Sequence, residues 1–207
     1  MKTASLQDQT IVALSICPLL IPVTGIVAGI AMGMIFALSL CLTGAAVYLL
    51  RGMIPPEHRI FMIALIAATI VAVIHMSAMA LCYEFSLLLG IYLPLIAMNC
   101  VLFINNEEVV LRRSFRVAFG ETVKTCVIMI FLLAAIGLLR EVIGAGVLFR
   151  DAGLLFGEAA GTRAVRLVDE RFTWEILNTA PGAFIVAGLI FALFNPGERL
   201  AKIRRRA

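Results

Sequence analysis

Cys17 and Cys100 are the residues of this chain whose type and setting point most directly to chemistry. Each lies in a charge-free apolar segment beside a proline. The phrases are Ser15-Ile16-Cys17-Pro18-Leu19-Leu20-Ile21 and Tyr92-Leu93-Pro94-Leu95-Ile96-Ala97-Met98-Asn99-Cys100. A lone thiol in an apolar helix is ordinarily a small packing group. Two thiols beside two interrupted helices have a second reading, because thiolates are the ligands of soft metals and iron–sulfur clusters. A [2Fe–2S] cluster normally takes four cysteines. This chain offers one such pair, so the other half of a ligand set would come from another subunit. Cys41, Cys82 and Cys126 lack the proline phrase and read as packing residues.

The elements that would position these thiols are membrane helices. Of the 207 residues, 62% are hydrophobic and 14% charged, with a mean hydropathy of +1.06. A soluble domain is nearer half apolar and a quarter charged. The expectation is one integral membrane domain over residues 1–207, with no room for a large soluble domain. All five cysteines fall in apolar stretches, which argues against a secreted disulfide framework. The first twenty residues resemble a signal peptide only superficially, since the apolar run continues far past a normal h-region without a clear cleavage site. Leu14-Ser15-Ile16-Cys17 is a poor lipoprotein box, with Ile16 where a small residue belongs and Pro18 after the cysteine.

Charges divide the apolar runs into crossings. Gln9 to Leu50 holds 42 residues without a charge, about 60 Å of helix and enough for two crossings of a core roughly 30 Å thick. Further crossings are read over Ile60–Tyr83, Phe85–Asn106, Thr125–Leu139 (extended by flanking residues such as Lys124) and Ile176–Pro196. The break inside the first run is expected between Thr24-Gly25 and Gly33, with Pro18, Pro22 and Gly25 making the first crossing short and irregular. The total is six crossings, which puts both termini on one side. That side receives 12 of the 17 Lys/Arg, so the positive-inside rule places both termini in the cytoplasm and the basic tail reads as a topology anchor. Glu107 to Glu121 reads as a segment along the cytoplasmic interface, and Gly144 to Thr173 as a surface or partner-contacting segment on the far side.

Pro18-Leu19-Leu20 and Pro94-Leu95-Ile96 fall in the first and fourth crossings. Three crossings separate equivalent positions, so the phrases run in opposite directions. This is the pattern of an inverted repeat with interrupted helices. The fold class expected is therefore an all-α integral membrane protein of six transmembrane helices, as an inverted 3+3 repeat with halves of roughly 1–84 and 85–207. Depth agrees: Cys17 lies nine residues after Asp8 and Cys100 seven before Glu107, about 13 and 10 Å along a helix from the same side.

These phrases resemble the membrane subunits shared by the Rnf and the sodium-pumping NADH:quinone oxidoreductase (Nqr) complexes, most closely the RnfE branch. The resemblance is carried by Ile16-Cys17-Pro18-Leu19-Leu20, by Leu89-Gly90-Ile91-Tyr92-Leu93-Pro94-Leu95-Ile96 with Asn99-Cys100, by Leu139-Arg140-Glu141-Val142-Ile143-Gly144-Ala145-Gly146 with Leu148-Phe149, and by Ala180-Pro181-Gly182-Ala183-Phe184. These phrases span nearly the whole chain in family order. Asn105-Asn106-Glu107-Glu108 departs from the family's usual wording after the second cysteine. The resemblance implies half-helices in the first and fourth crossings. It implies an RnfA-like partner of inverted topology, other subunits like RnfB, RnfC, RnfD and RnfG, and a bacterial inner-membrane location. It implies that Cys17 and Cys100 are iron ligands of a [2Fe–2S] cluster shared with the partner. The complex so implied is a ferredoxin:NAD⁺ oxidoreductase coupled to Na⁺ or H⁺ translocation.

On this reading the chain is one component of a redox-driven translocase and relays electrons across lipid. Thr24 near the first break and Asn99 beside Cys100 are candidates to hydrogen-bond around the site, with helix–helix bonding as the equal alternative. The alternative assignments are an NqrD-type subunit, or a transporter- or channel-like subunit without its own redox role. Intramembrane His75 reads more naturally as a neutral interhelical hydrogen-bonder than as a site, and Glu84 and Glu141 as boundary residues. No Walker loop, dinucleotide fingerprint or HExxH motif occurs.

Overall fold

The structure, a computed structural model, describes residues 19–81, 83, 90, 92–148, 165–166 and 179–194. Leu19 and Leu20 are helical, Ile21 and Pro22 turn, and the chain is non-helical to Gly25. Helix α1 (Ile26–Leu50) then runs without interruption. A 3₁₀ turn over Pro56–His58, with proline at its first position, leads into α2 (Arg59–Leu81). The next crossing is built from pieces: α3 (Tyr92–Leu95), a 3₁₀ turn over Ile96–Met98, α4 (Cys100–Ile104) and a π-helical turn over Asn105–Val110. Helix α5 (Phe115–Arg140) widens into a π turn over Glu141–Ala145. Gly146 ends it in the left-handed region at φ 65°, the conformation for which glycine is the usual helix stop. Strands β1 (Val147–Leu148) and β2 (Val165–Arg166) form a two-residue antiparallel ladder. Helix α6 (Ala180–Phe194) follows.

Among the described residues, the stretches long and apolar enough to cross a membrane are Ile26–Leu50, Pro56–Leu81, Tyr92–Val110 and Phe115–Gly144, with a shorter apolar helix over Ala180–Ile190. The protein is therefore a helical, multi-pass membrane protein. Large apolar side chains such as Leu49, Phe61, Met76 and Phe131 point outward. That arrangement suits lipid, where burying apolar surface between helices gains little and close packing has to hold them together.

Close packing is visible where α1 and α5 run antiparallel, in the most extensive helix–helix contact of the fold. Small residues recur every fourth position on α1: Gly25, Gly29, Gly33, Ala37, Cys41 and Ala45. A Cβ on Gly29 would stand 2.5 Å from the Leu133 carbonyl oxygen, and one on Gly33 2.9 Å from Ile130 Cα. On the other helix, a Cβ on Gly137 would collide with the Gly25 carbonyl. Backbone thus lies against backbone along the pair, as the small-xxx-small pattern allows. Helix α2 packs on α1 and on the pieces of the fourth crossing, and α6 packs on α5.

Two expectations change here. The first break is confined to residues 21–25, and Gly29 and Gly33 are helical because their missing side chains serve the α1–α5 contact rather than a turn. Residues 107–121 are not one interfacial segment. Glu107 and Glu108 end the fourth crossing, the chain reverses over residues 111–114, and α5 has begun by Phe115. The Arg residues there (Arg112, Arg113, Arg116) are exposed at the reversal, with Arg112 paired to Glu108 at 3.3 Å. The bulk of the far-side segment, the crossing before α1 up to Pro18, and the basic tail lie outside the described residues.

The α1–α5 contact makes a direct prediction. Gly29→Ala and Gly137→Ala each force backbone apart and should lower stability by about 1–3 kcal/mol. Gly120→Ala, where nothing lies within 4 Å, should be neutral or slightly stabilising. Thermal unfolding of the purified variants in detergent measures this, and equal melting temperatures for all three would remove the close-contact account.

Candidate functional site

The site can be built from the break in the fourth crossing. Pro94 sits in the first turn of α3, where its missing N–H would have had no helical partner anyway. The 3₁₀ turn tightens the chain, and Asn99 then becomes extended, with φ −74° and ψ 128°. Its N–H donates to the Ile96 carbonyl at 3.1 Å, closing the turn behind it. Its side-chain oxygen accepts the Val101 N–H at 2.9 Å, and its carbonyl accepts the Phe103 N–H at 3.3 Å. Asn99 is thus a complete N-cap, and it is buried. Cys100 is the first residue of the helix it caps, and it is exposed. An exposed thiol at this place is open to whatever lies beside the chain in the membrane. Cys17 and Cys82 lie outside the described residues. Among the described residues, no group of three or more His, Cys, Asp or Glu could hold a metal within this chain alone.

The first break holds Thr24, whose N–H donates to the Pro22 carbonyl at 3.0 Å. This break is closed from a distance. Gly25 is extended and is the N-cap of α1, but it brings no side chain to cap with. The Ile26 N–H instead donates to Glu141 Oε2 at 2.9 Å, from a residue 115 positions away. On the other side of the break, the helix ending near Leu20 leaves carbonyls without helical partners. Arg140 reaches this end: Nη1 donates to the Leu20 carbonyl at 2.8 Å, which also accepts the Val23 N–H at 3.3 Å, and to the Val23 carbonyl at 2.5 Å, while Nη2 donates to the Thr179 carbonyl just before α6 at 3.3 Å. Arg140 is 1% exposed and Glu141 2%. The charges match the helix dipoles, a cation at a C-terminal end and an anion at an N-terminal end. Gly137, one turn earlier, lets the break reach this pair.

Charge spacing puts Arg140 on the far side and Glu141 at the boundary; both are interior. The signal for this is present in the sequence, an ionisable pair at the end of an apolar run beside a glycine-rich turn, since charges at membrane depth are rarely idle. Glu84 lies outside the described residues. Cys41 and Cys126 behave as packing residues. Their sulfurs are 3.8 Å apart between α1 and α5, and Cys126 Sγ lies 3.7 Å from the Ala37 carbonyl. His75 is partly buried on α2.

The sequence matches the protein family described as "Rnf-Nqr subunit, membrane protein" over residues 5–191. Similar proteins are named as the E component of an ion-translocating oxidoreductase complex. One from Thioalkalivibrio sulfidiphilus (strain HL-EbGR7) is 35% identical over 182 residues, covering 88% of this chain and 80% of the relative. One from Pseudomonas paraeruginosa (strain DSM 24068 / PA7) is 32% identical over 94% of this chain and 81% of the relative. One from Vibrio atlanticus (strain LGP32) is 30% identical over 93% of this chain and 84% of the relative.

The closure of the first break generates a test. Arg140→Met removes the guanidinium from the Leu20, Val23 and Thr179 carbonyls, leaving the buried Val23 carbonyl without it, and should cost about 1–3 kcal/mol. Glu141→Gln keeps an acceptor for the Ile26 N–H and loses only the charge, a cost of about 1 kcal/mol. An Arg140→Met protein that melts with the wild type would sink the capping role.

Proposed function

Because this chain belongs to the Rnf-Nqr family of membrane subunits, we propose that it is the E-type component of a redox-driven, ion-translocating oxidoreductase complex of the Rnf kind, and that Cys17 and Cys100 give two thiolates to an intramembrane [2Fe–2S] cluster. The observation that carries the ligand reading is the setting of Cys100: an exposed thiol, inside an apolar crossing, on the first residue of a helix that restarts after a break. Helix restarts leave N–H groups pointing back along the axis, where they can face the negative charge of a bound cluster. The buried Asn99 cap fixes the backbone that carries the sulfur. Packing alone gives no reason for an exposed cysteine at this point.

The residues fit half of such a centre. Two cysteines from this chain and two from an RnfA-like subunit of inverted topology make up the usual four ligands. When bound, the cluster takes up and releases one electron, so that one long transfer across lipid becomes two shorter ones. Thr24 and Asn99 lie in the two breaks and would orient backbone around the thiolates. Arg140 and Glu141 hold the break that follows the Cys17-Pro18 phrase. The charge asymmetry supports a bacterial cytoplasmic membrane location with both termini in the cytoplasm. Electron flow between ferredoxin and NAD⁺ would be coupled to Na⁺ or H⁺ translocation by the whole complex, with RnfB-, RnfC-, RnfD- and RnfG-like subunits as further partners.

Electron paramagnetic resonance of the reduced, purified complex tests the ligand assignment. Cys17→Ala and Cys100→Ala should each abolish a [2Fe–2S] signal that Cys126→Ala leaves in place. An unchanged spectrum in both ligand variants would rule it out.

A further inference from the structure

The end of α1 and the start of α5 enclose a cavity of about 120 Å³. Small residues make its floor, Gly44 and Ala45 of α1 and Ala118 of α5, and the rings of Tyr48, Phe115 and Phe119 stand around them. It extends from Tyr48 to Cys41 along α1 and from Phe115 to Thr122 along α5. That is about two turns of each helix, roughly 10 Å. The slot lies at the outer surface of the bundle, where Ala45, Phe115 and Phe119 are exposed. Its walls are almost wholly apolar. Thr122 Oγ1, at the inner end, already accepts the Asn105 side-chain amide at 3.0 Å. A trapped water needs several polar partners, and an apolar void of about this size stays dry and takes an apolar guest. Beside a membrane helix, the apolar guest at hand is an acyl chain.

The mouth of the slot supplies a second, independent observation. Arg51 Cζ stands 4.3 Å from the centroid of the Tyr48 ring, a cation–π contact that holds a guanidinium at the opening. Tyr48 meets Phe115 edge-on at 5.1 Å, and Phe115 stacks on Phe119 at 6.2 Å. Arg113 and Arg116 stand on either side of Phe115 in the chain, and both are exposed, as is Arg51. Side chains lean toward the N-terminus of their helix, so Arg116 leans back to the end of α5 where the slot opens. Arg112 is paired with Glu108. Among the described residues, Arg51, Arg113 and Arg116 form no ion pair. Over residues 51–59 and 107–116 the chain carries five arginines against three glutamates, so this end of the bundle keeps a positive excess.

An apolar slot with a cationic mouth, at the level where membrane helices end, matches the two halves of one kind of molecule. Basic pockets between membrane helices take anionic lipid headgroups, and the fork of N–H donors on arginine suits a phosphate. A cavity of this volume is too narrow for a partner helix, about 10 Å across, but it fits a single hydrocarbon chain. We propose that the slot between α1 and α5 binds one anionic phospholipid, with an acyl chain along Ala45 and Ala118 and the phosphate on Arg51 and Arg116. The inference goes beyond the redox reading and does not depend on the thiol ligands.

The experiment is thermal unfolding of the purified protein, with whatever subunits accompany it, after lipid removal in a non-ionic detergent. Phosphatidylglycerol or phosphatidylcholine with the same acyl chains is then titrated in. Phosphatidylglycerol should raise the melting temperature saturably, at a half-saturating concentration at least about tenfold below that of phosphatidylcholine. The double substitution Arg51→Gln with Arg116→Gln should remove that preference and leave the response to phosphatidylcholine unchanged. Ala45→Phe, which puts a ring into the slot from an exposed position, should weaken the response to both lipids. The arginine pair lies outside the packed interior and carries the test should Ala45→Phe fail to assemble. A wild type that responds equally to the two lipids overturns the proposal. So do variants that keep the wild-type response. An Ala45→Phe protein that sheds a companion subunit while its phosphatidylglycerol response stays intact also overturns it, because protein then covers the slot.

Discussion

A backbone carbonyl at membrane depth has to be hydrogen-bonded by the protein, because lipid offers nothing. Everything at the head of this fold follows from how that demand is met over residues 21–25. The chain leaves a helix near Leu20 and starts another at Ile26, whose N-cap, Gly25, has no side chain to offer. One dipeptide from the far end of α5 supplies both caps, Arg140 for the carbonyls and Glu141 for the amide. The two charges have to arrive at one place together, which requires α5 to lie close against α1. The glycines at 29, 33 and 137 make that approach possible. The close pair and the capped break are one construction.

The second break is solved differently. Asn99 satisfies its own turn and caps its own helix, within a few residues of sequence. One interruption is thus self-contained and the other is borrowed. The self-contained one leaves its thiol-bearing residue, Cys100, facing outward, while the borrowed one is tied into the interior by a guanidinium. The proposed sharing of a site with a neighbouring subunit would call for both properties, a surface that can meet the neighbour and a frame that does not shift when it does.

Much of this was legible in the residues. Prolines beside Cys17 and Cys100 marked the interruptions, charge spacing marked the crossings, and Asn99 before Cys100 is a helix-cap residue in a helix-cap position. The reach of each glycine was less legible. Gly25 and Gly29 look alike in sequence, yet one ends a break and the other packs a helix, and only the partner helix decides which. The four-residue spacing from Gly25 to Ala45 carried that information as a packing pattern. Arg140 was hidden for another reason. An arginine near the end of an apolar run is usually a boundary residue that snorkels to water. Here carbonyls from a segment 120 and 117 positions earlier hold it inside. Long-range partners of that kind leave no trace in local periodicity.

The borrowed cap also sets an order of events during biogenesis. Ile26 and Glu141 are 115 positions apart in the chain. At a synthesis rate of roughly 5–20 residues per second, the amide exists for on the order of 10 s before its carboxylate has been made. Throughout that interval the start of α1 has no protein acceptor from α5, so it has to be held by water or by the insertion machinery. The N-terminal part of the protein therefore stays unfinished until the fifth crossing enters the bilayer. A ribosome that stalls between α4 and α5 leaves a product whose earlier helices are all present but whose first turn cannot settle, a state that membrane quality control could recognise.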